Sequence, residues 1–104
     1  MKKIIWTKHS ENKMRFYNLS KQRVLRVLNN PFRIEAGVAP KTIACMQPVN
    51  RNKLKKWKQE IWIMYQKSGN KIKIISAWRY PGVSPQQNPI PQEILKELKE
   101  LKVI

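Results

Sequence analysis

One histidine in this chain has neighbours suited to acid–base chemistry on a phosphate group. His9 is the only histidine, and because an imidazole titrates near neutral pH it can act as a general acid or base. Lys8, Lys13 and Arg15 lie within six residues of it and would hold a phosphate close to the ring. A purely structural histidine is the alternative, and the sequence leaves both interpretations open.

A basic segment later in the chain has the composition of a nucleic-acid contact. Cations neutralise phosphates and an aromatic ring stacks on a base, and single-stranded nucleic acid binding requires both. A solvated, charged loop without a ligand is the alternative interpretation. The residues are Arg51, Lys53, Lys55, Lys56 and Lys58, with Trp57 among them.

The composition disfavours the common metal and nucleophile sites. The chain has no aspartate and few glutamates, so two-metal phosphodiester cleavage is hard to build. A single cysteine and a single histidine exclude a Cys/His zinc site, and we expect neither a metal nor a cofactor. No glycine-rich phosphate loop or nucleophile elbow is present. Metal-free RNA cleavage stays open, because the 2′-hydroxyl is itself the nucleophile and needs only positioning, proton transfer and cations.

The charge balance predicts a polyanionic partner. The 104 residues include 22 Lys and Arg but only 6 acidic side chains, for a net charge of +16. With 41% hydrophobic residues the chain is expected to fold, and such a basic domain repels itself unless an anion compensates. We predict RNA as the partner. No apolar run is long enough to cross a membrane and no disulfide can form within the chain, so we expect a cytoplasmic protein without a membrane partner.

The pattern of apolar residues and breakers predicts an α+β fold of order β-α-α-β-β-β-β with a C-terminal helix. Ser10 and Ser20 are the expected N-caps of the two first helices, and residues 67–70 are the expected turn of a hairpin. On the second helix, Arg23 and Arg26 share the polar side. The predicted strands are Lys3–Thr7, Phe32–Ala36, Thr42–Gln47, Gln59–Gln66 and Lys71–Arg79, and the two first helices are Glu11–Tyr17 and Lys21–Asn29.

Alternation along the last strand predicts one apolar face and one basic face. The apolar face would be covered by the helices, and the other would remain open as a flat basic platform. Ordinary exposed charges on a sheet are the alternative. The predicted apolar face carries Ile72, Ile74, Ser76 and Trp78, and the platform carries Lys71, Lys73 and Arg79 beside Ile75 and Ala77.

The end of the chain is predicted to cover a second apolar surface. Residues 83–92 form a proline-rich linker, and residues 93–104 form an amphipathic helix with a stripe of leucine and isoleucine. Trp62 and Met64 make both faces of their strand apolar, so a second cover is needed. We expect this helix to supply it, either on its own chain or on a neighbouring copy in a homo-oligomer.

Two segments resemble a known family. HSENKMRFYNLSKQRVLRVLNNPFRIEAG (residues 9–37) resembles the opening of RelE/ParE-like domains, in which a histidine begins the first helix and a serine caps the second. IWIMYQKSGNKIKIISAWRYPG (residues 61–82) is similar to the terminal hairpin of BrnT-type toxins. The resemblance covers residues 5–82, and it implies that residues 1–82 are a RelE-like basic domain with two helices packed on a mainly antiparallel sheet.

The resemblance also implies a function. It predicts a metal-independent endoribonuclease toxin of a type II toxin–antitoxin pair, neutralised by an acidic antitoxin protein. Lys73 and Arg79 would grip phosphate, and Tyr65, Tyr80 and His9 would be candidates for proton transfer. A non-catalytic protein that binds RNA or the ribosome is the second hypothesis, because the same basic surface would serve it. A protein-targeting toxin or structural module that needs only an acidic partner is the third.

Overall fold

The chain folds as a five-stranded mixed sheet with helices on both faces, as a computed structural model of residues 2–50, 56–85 and 90–102 shows. The sheet order is β1-β5-β4-β3-β2, with β1 parallel to β5 and the other neighbours antiparallel. The α+β class is therefore confirmed. The elements are β1 (Lys3–Trp6), α1 (Lys8–Phe16), α2 (Lys21–Asn29), β2 (Arg33–Ala36), β3 (Thr42–Val49), β4 (Gln59–Ser68), β5 (Lys71–Pro81) and α3 (Gln92–Glu100).

The starts of the two first helices test the predicted caps. Ser20 caps α2 as expected, since its hydroxyl accepts a hydrogen bond from the Arg23 N–H at 3.0 Å. The predicted cap of α1 at Ser10 is wrong. Thr7 is the cap and accepts from the Ser10 N–H at 3.1 Å, while the Thr7 hydroxyl donates to the Ile74 carbonyl at 2.7 Å. The helix begins three residues early because Thr7 binds both helix and sheet.

The first face of the sheet, the one under α1 and α2, holds one apolar core. Met14 from α1 and Val24 and Val27 from α2 are buried against residues of β3, β4 and β5. Cys45 lies in this core, and burial raises the pKa of its thiol to about 12, so it is an inert packing residue.

A β-bulge in β5 changes the predicted faces. Met64 is in register with Ser76, but Tyr65 is in register with Ile74, so Ile75 is the extra residue. Such an insertion shifts the alternation that follows it. The prediction that Trp78 shares the face of Ile74 is wrong, because Trp78 packs in the second core. The predicted platform is also wrong, because Arg79 lies on the first face, away from Lys71 and Lys73.

The second face is covered by α3 of the same chain. Ile94 and Leu98 are fully buried against Trp62 and Trp78, whose rings are stacked with centroids 6.1 Å apart. The expected second cover is therefore confirmed on the sheet of its own chain. None of the helices in the described ranges is long and apolar enough to cross a membrane.

A buried carboxylate fixes the start of the linker. Glu60 is fully buried and accepts from the indole N–H of Trp57 at 2.9 Å and of Trp62 at 2.8 Å. The Ser84 N–H and hydroxyl donate to it at 3.1 and 2.5 Å. Arg33 also donates to the Ser84 carbonyl at 3.1 Å. The first residues of the predicted linker are thus part of the packed structure.

Candidate nucleic-acid interface

The bulge places Arg79 at the junction of the two first helices. Its Nε donates to the Tyr17 carbonyl at 2.7 Å, and its Nη1 donates to the Gln59 Oε1 at 3.0 Å. The Asn18 carbonyl accepts from Nη2 at 3.4 Å. These acceptors are all neutral, so they orient the guanidinium without cancelling its charge.

Two arginines of α2 approach Arg79. Arg23 donates to the Gln47 Oε1 at 2.6 Å, and the Gln47 amide donates in turn to the Asn30 carbonyl at 2.7 Å. Burial lowers the pKa of Arg23, and the positive charges of Arg26 and Arg79 lower it further. Gln47, which binds the Arg23 guanidinium and the Arg26 carbonyl, lies in the same cross-strand row as Arg79, with β4 between them. We call Arg23, Arg26 and Arg79 the arginine cluster.

Within the described ranges, no glutamate pairs with the arginine cluster. Glu11 pairs with Lys21, Glu35 with Arg33, and Glu97 with Lys13. Among the described residues, which include every glutamate of the chain, no carboxylate forms an ion pair with the cluster. Three cations on one face, two of them held by neutral acceptors, favour the binding of an anion.

An exposed aromatic ring lies at the C-terminal end of α1, one residue before Tyr17. Phe16, the last residue of α1, is 67% exposed, and its ring meets the edge of Tyr17 with centroids 4.8 Å apart. Tyr17 is the residue whose carbonyl holds Arg79. Burial first, and Glu93 and Glu97 after it, raise the pKa of the Tyr17 hydroxyl, so it stays neutral. An exposed ring matches the stacking platforms of single-stranded nucleic acid sites, and the Lys13 Nζ lies 5.1 Å from its centroid.

The four residues predicted to be catalytic do not converge. Tyr65 is in register with Ile74, whereas Arg79 is five residues further along β5, which is about 16 Å along a strand. Tyr80 packs against the second core. His9 lies at the start of α1 and contacts the middle of β5. The geometry therefore provides no single site that uses all four.

His9 joins three elements instead. Its Nε2 lies 3.0 Å from the Ser76 Oγ, and its Nδ1 lies 3.5 Å from the Glu97 Oε2. The order Ser–His–Glu is that of a hydrolase triad, but Ser76 is fully buried and does not meet a substrate. Burial lowers the pKa of His9, Glu97 opposes this shift, and Lys13 adds to it. The imidazole is neutral at pH 7 and connects α1, β5 and α3.

The depressed pKa of His9 makes stability depend on pH. The unfolded chain binds the proton first, near the ordinary value of 6.5, so this contribution is complete above that pH and is lost as the pH falls through the folded value. We expect urea denaturation to give a lower free energy of unfolding at about pH 5.5 than at about pH 7.5. His9→Gln removes the only histidine, so the free energy of unfolding should change less between these two pH values. An unchanged pH dependence would contradict the assignment to His9.

The other predicted contacts are dispersed. Lys8 and Arg15 are exposed on α1, and Lys13 binds Glu97 at 2.7 Å. Trp57 is half-buried, with its N–H on Glu60 and its ring against Phe32, so it serves the fold. Lys56, Lys58, Lys71 and Lys73 are exposed, and Arg51, Lys53 and Lys55 lie outside the described residues.

Comparison with known proteins does not assign a function to this chain. No family model matches the chain, and no curated protein or solved structure matches it either. The function is therefore argued from the geometry of the described residues.

Sequence reasoning missed most of this interface. The shared side of Arg23 and Arg26 on α2 was a usable signal, because residues three apart on a helix are neighbours. Their meeting with Arg79 depends on the bulge, which alternation alone does not reveal. Phe16 had no signal in the sequence, since an aromatic residue at that position is usually packed.

Proposed function

We propose that this protein binds single-stranded RNA without cleaving it, with phosphates on the arginine cluster and an unpaired base on Phe16. The observation that carries the proposal is a group of three arginines on the first face that has no carboxylate partner among the described residues. A guanidinium binds phosphate in a bidentate manner, and the net charge of +16 attracts a polyanion from a distance.

The exposed ring favours the single-stranded form. A base can stack on Phe16 only when it is unpaired, and sequence-tolerant stacking contributes about 1–3 kcal/mol per base. RNA is proposed over DNA because the segments 9–37 and 61–82 resemble a family that acts on RNA. The scattered positions of Tyr65, Tyr80, Arg79 and His9 support binding over cleavage.

Two substitutions test the two halves of the site. Arg26 is exposed, so Arg26→Gln should leave the fold intact while reducing the slope of log affinity against log salt by about 0.7. Phe16→Ala should weaken binding by about fivefold to 150-fold with an unchanged slope. Fluorescence anisotropy with a labelled uridine-rich oligonucleotide measures both effects.

A matched control distinguishes binding at the arginine cluster from attraction by the overall positive charge. Lys99→Gln removes one exposed charge from α3 on the opposite face, and it should leave the affinity nearly unchanged. If Arg26→Gln and Lys99→Gln weaken binding equally, the arginine cluster is not the site. Equal affinity for a duplex of the same length would contradict the role of Phe16.

RNA cleavage by a toxin of a type II toxin–antitoxin pair is the second candidate. The observation that favours it is that His9 and Lys73 line the same pocket, where His9 would act as a general base beside a cation after giving up its contact with Ser76 or Glu97. The RelE-like topology and an acidic antitoxin belong to this proposal. Intact oligonucleotide after incubation, and normal growth on induced expression, would reject it.

A further inference from the structure

A pocket of about 430 Å³ opens on the second face where the cover provided by α3 ends. Its base is formed by β4 and β5 near their hairpin turn, and its walls by Leu98 of α3, the start of α1 and the turn before β3. The volume lies within the range of small-molecule sites, about 300–1,000 Å³. The proposed RNA interface lies on the other face, so this pocket is a separate feature.

Most polar groups of the pocket already have partners. The Thr7 hydroxyl donates to the Ile74 carbonyl at 2.7 Å, and the Thr42 hydroxyl donates to the Ala39 carbonyl at 2.5 Å. Both ring nitrogens of His9 are engaged, one by Ser76 and the other by Glu97. These groups shape the pocket and have little capacity left for a ligand.

Two polar side chains remain available. Gln66 and Lys73 face each other across β4 and β5 in the register of the hairpin, and both line the pocket. Within the described part of the chain, neither side chain makes a hydrogen bond or an ion pair. A carboxylate has two oxygens, and it could accept from the Lys73 ammonium and the Gln66 amide together.

The rest of the lining is apolar. Ile75, the extra residue of the bulge, and Leu98 are buried side chains that border the pocket, and Leu101 is exposed at its rim. An aliphatic or aromatic body would bury its surface against these residues. The bulge thus contributes an apolar wall beside the polar pair.

We infer that this pocket binds a small carboxylate with an apolar body. Among the described lining residues, Lys73 is the one that carries a charge at neutral pH, because burial keeps His9 neutral. One cation suits a monoanion, whereas the dianion of a phosphomonoester would leave a charge without a partner. The Gln66 amide and the apolar walls then orient the ligand.

Titration with 4-phenylbutyrate, followed by amide NMR spectra of the full chain, tests the inference. We expect chemical-shift changes at Gln66, Lys73 and Leu101, and binding at least tenfold weaker for the neutral 4-phenylbutyramide. Lys73→Gln should weaken the binding of 4-phenylbutyrate by about 10-fold to 150-fold, the range for the loss of a hydrogen bond to a charged group. Lys71→Gln removes an exposed charge two residues away and should have no effect.

Four outcomes would overturn the inference. The first is the absence of chemical-shift changes at the pocket at about 10 mM probe, a concentration that detects even millimolar affinity. The second is equal binding of the amide, and the third is equal weakening by Lys71→Gln. Tighter binding of uridine monophosphate at the same residues would also overturn it, since the pocket would then prefer a nucleotide. RNA affinity should be unchanged in Lys73→Gln, so the two proposals succeed or fail separately.

Discussion

Glu60→Ala is expected to lower the free energy of unfolding by about 4 kcal/mol, because it leaves several buried donors without an acceptor at about 1–3 kcal/mol each. The donors are the indoles of Trp57 and Trp62 and two groups of Ser84. A domain of this size has a stability of about 5–15 kcal/mol, so the variant would be close to unfolding at growth temperature. Thermal or urea denaturation followed by circular dichroism measures the loss.

Control variants distinguish the buried network from the loss of a negative charge. Glu93→Ala removes an exposed carboxylate from the first turn of α3 and should change stability by no more than about 0.5 kcal/mol. Burial alone would raise the pKa of Glu60, but hydrogen bonds from Ser84, Trp62 and Trp57 outweigh it and lower the pKa. The carboxylate therefore stabilises the fold above its ordinary value of 4.5 and loses this contribution as the pH falls through the folded value. Equal losses for Glu60→Ala and Glu93→Ala would show that the network contributes little.

Leu98→Asp is expected to detach α3 from the sheet, since a charge would be buried against two stacked tryptophans and removal from water is costly for an unpaired carboxylate. The second face would then expose Trp62, Trp78 and the neighbouring methionines. We expect a red shift of tryptophan fluorescence and aggregation that grows with protein concentration, both measurable by spectroscopy and light scattering.

A neighbouring leucine provides the comparison for this variant. Leu101 lies three residues along the same stripe but is 55% exposed, so Leu101→Asp should leave α3 in place. Identical fluorescence spectra for the wild type and Leu98→Asp would show that α3 is not needed to bury the tryptophans.

The sequence was sufficient where one local pattern decided the structure. The helix Lys21–Asn29 begins at its predicted cap because a serine followed by a helical apolar stripe is compatible with few other local structures. The two apolar faces of β4 correctly required a second cover, and the leucine stripe at the end of the chain was the segment able to provide it. These inferences depend on contacts within one element or on its simple periodicity.

The candidate sites depended on features without a periodic signature. The bulge at Ile75 places Trp78 and Arg79 on the faces opposite to those that alternation predicts. It therefore also decides where Arg79, the third member of the arginine cluster, lies. Glu60 looked like an ordinary strand residue, because the partner that completes its network, Ser84, lies 24 residues further along the chain. Long-range register decides both features, and short patterns do not encode it.

The position of β1 has a consequence for how the protein is made. Lys3 is in register with Lys71, so the first strand has no partner until most of the chain has been synthesised, and closing such a long loop slows folding. The helix that buries Trp62 and Trp78 begins only at Gln92 and therefore leaves the ribosome after all five strands. During translation the nascent chain carries an unfinished sheet with exposed tryptophans, and exposed apolar strands of this kind are prone to aggregation before folding is complete.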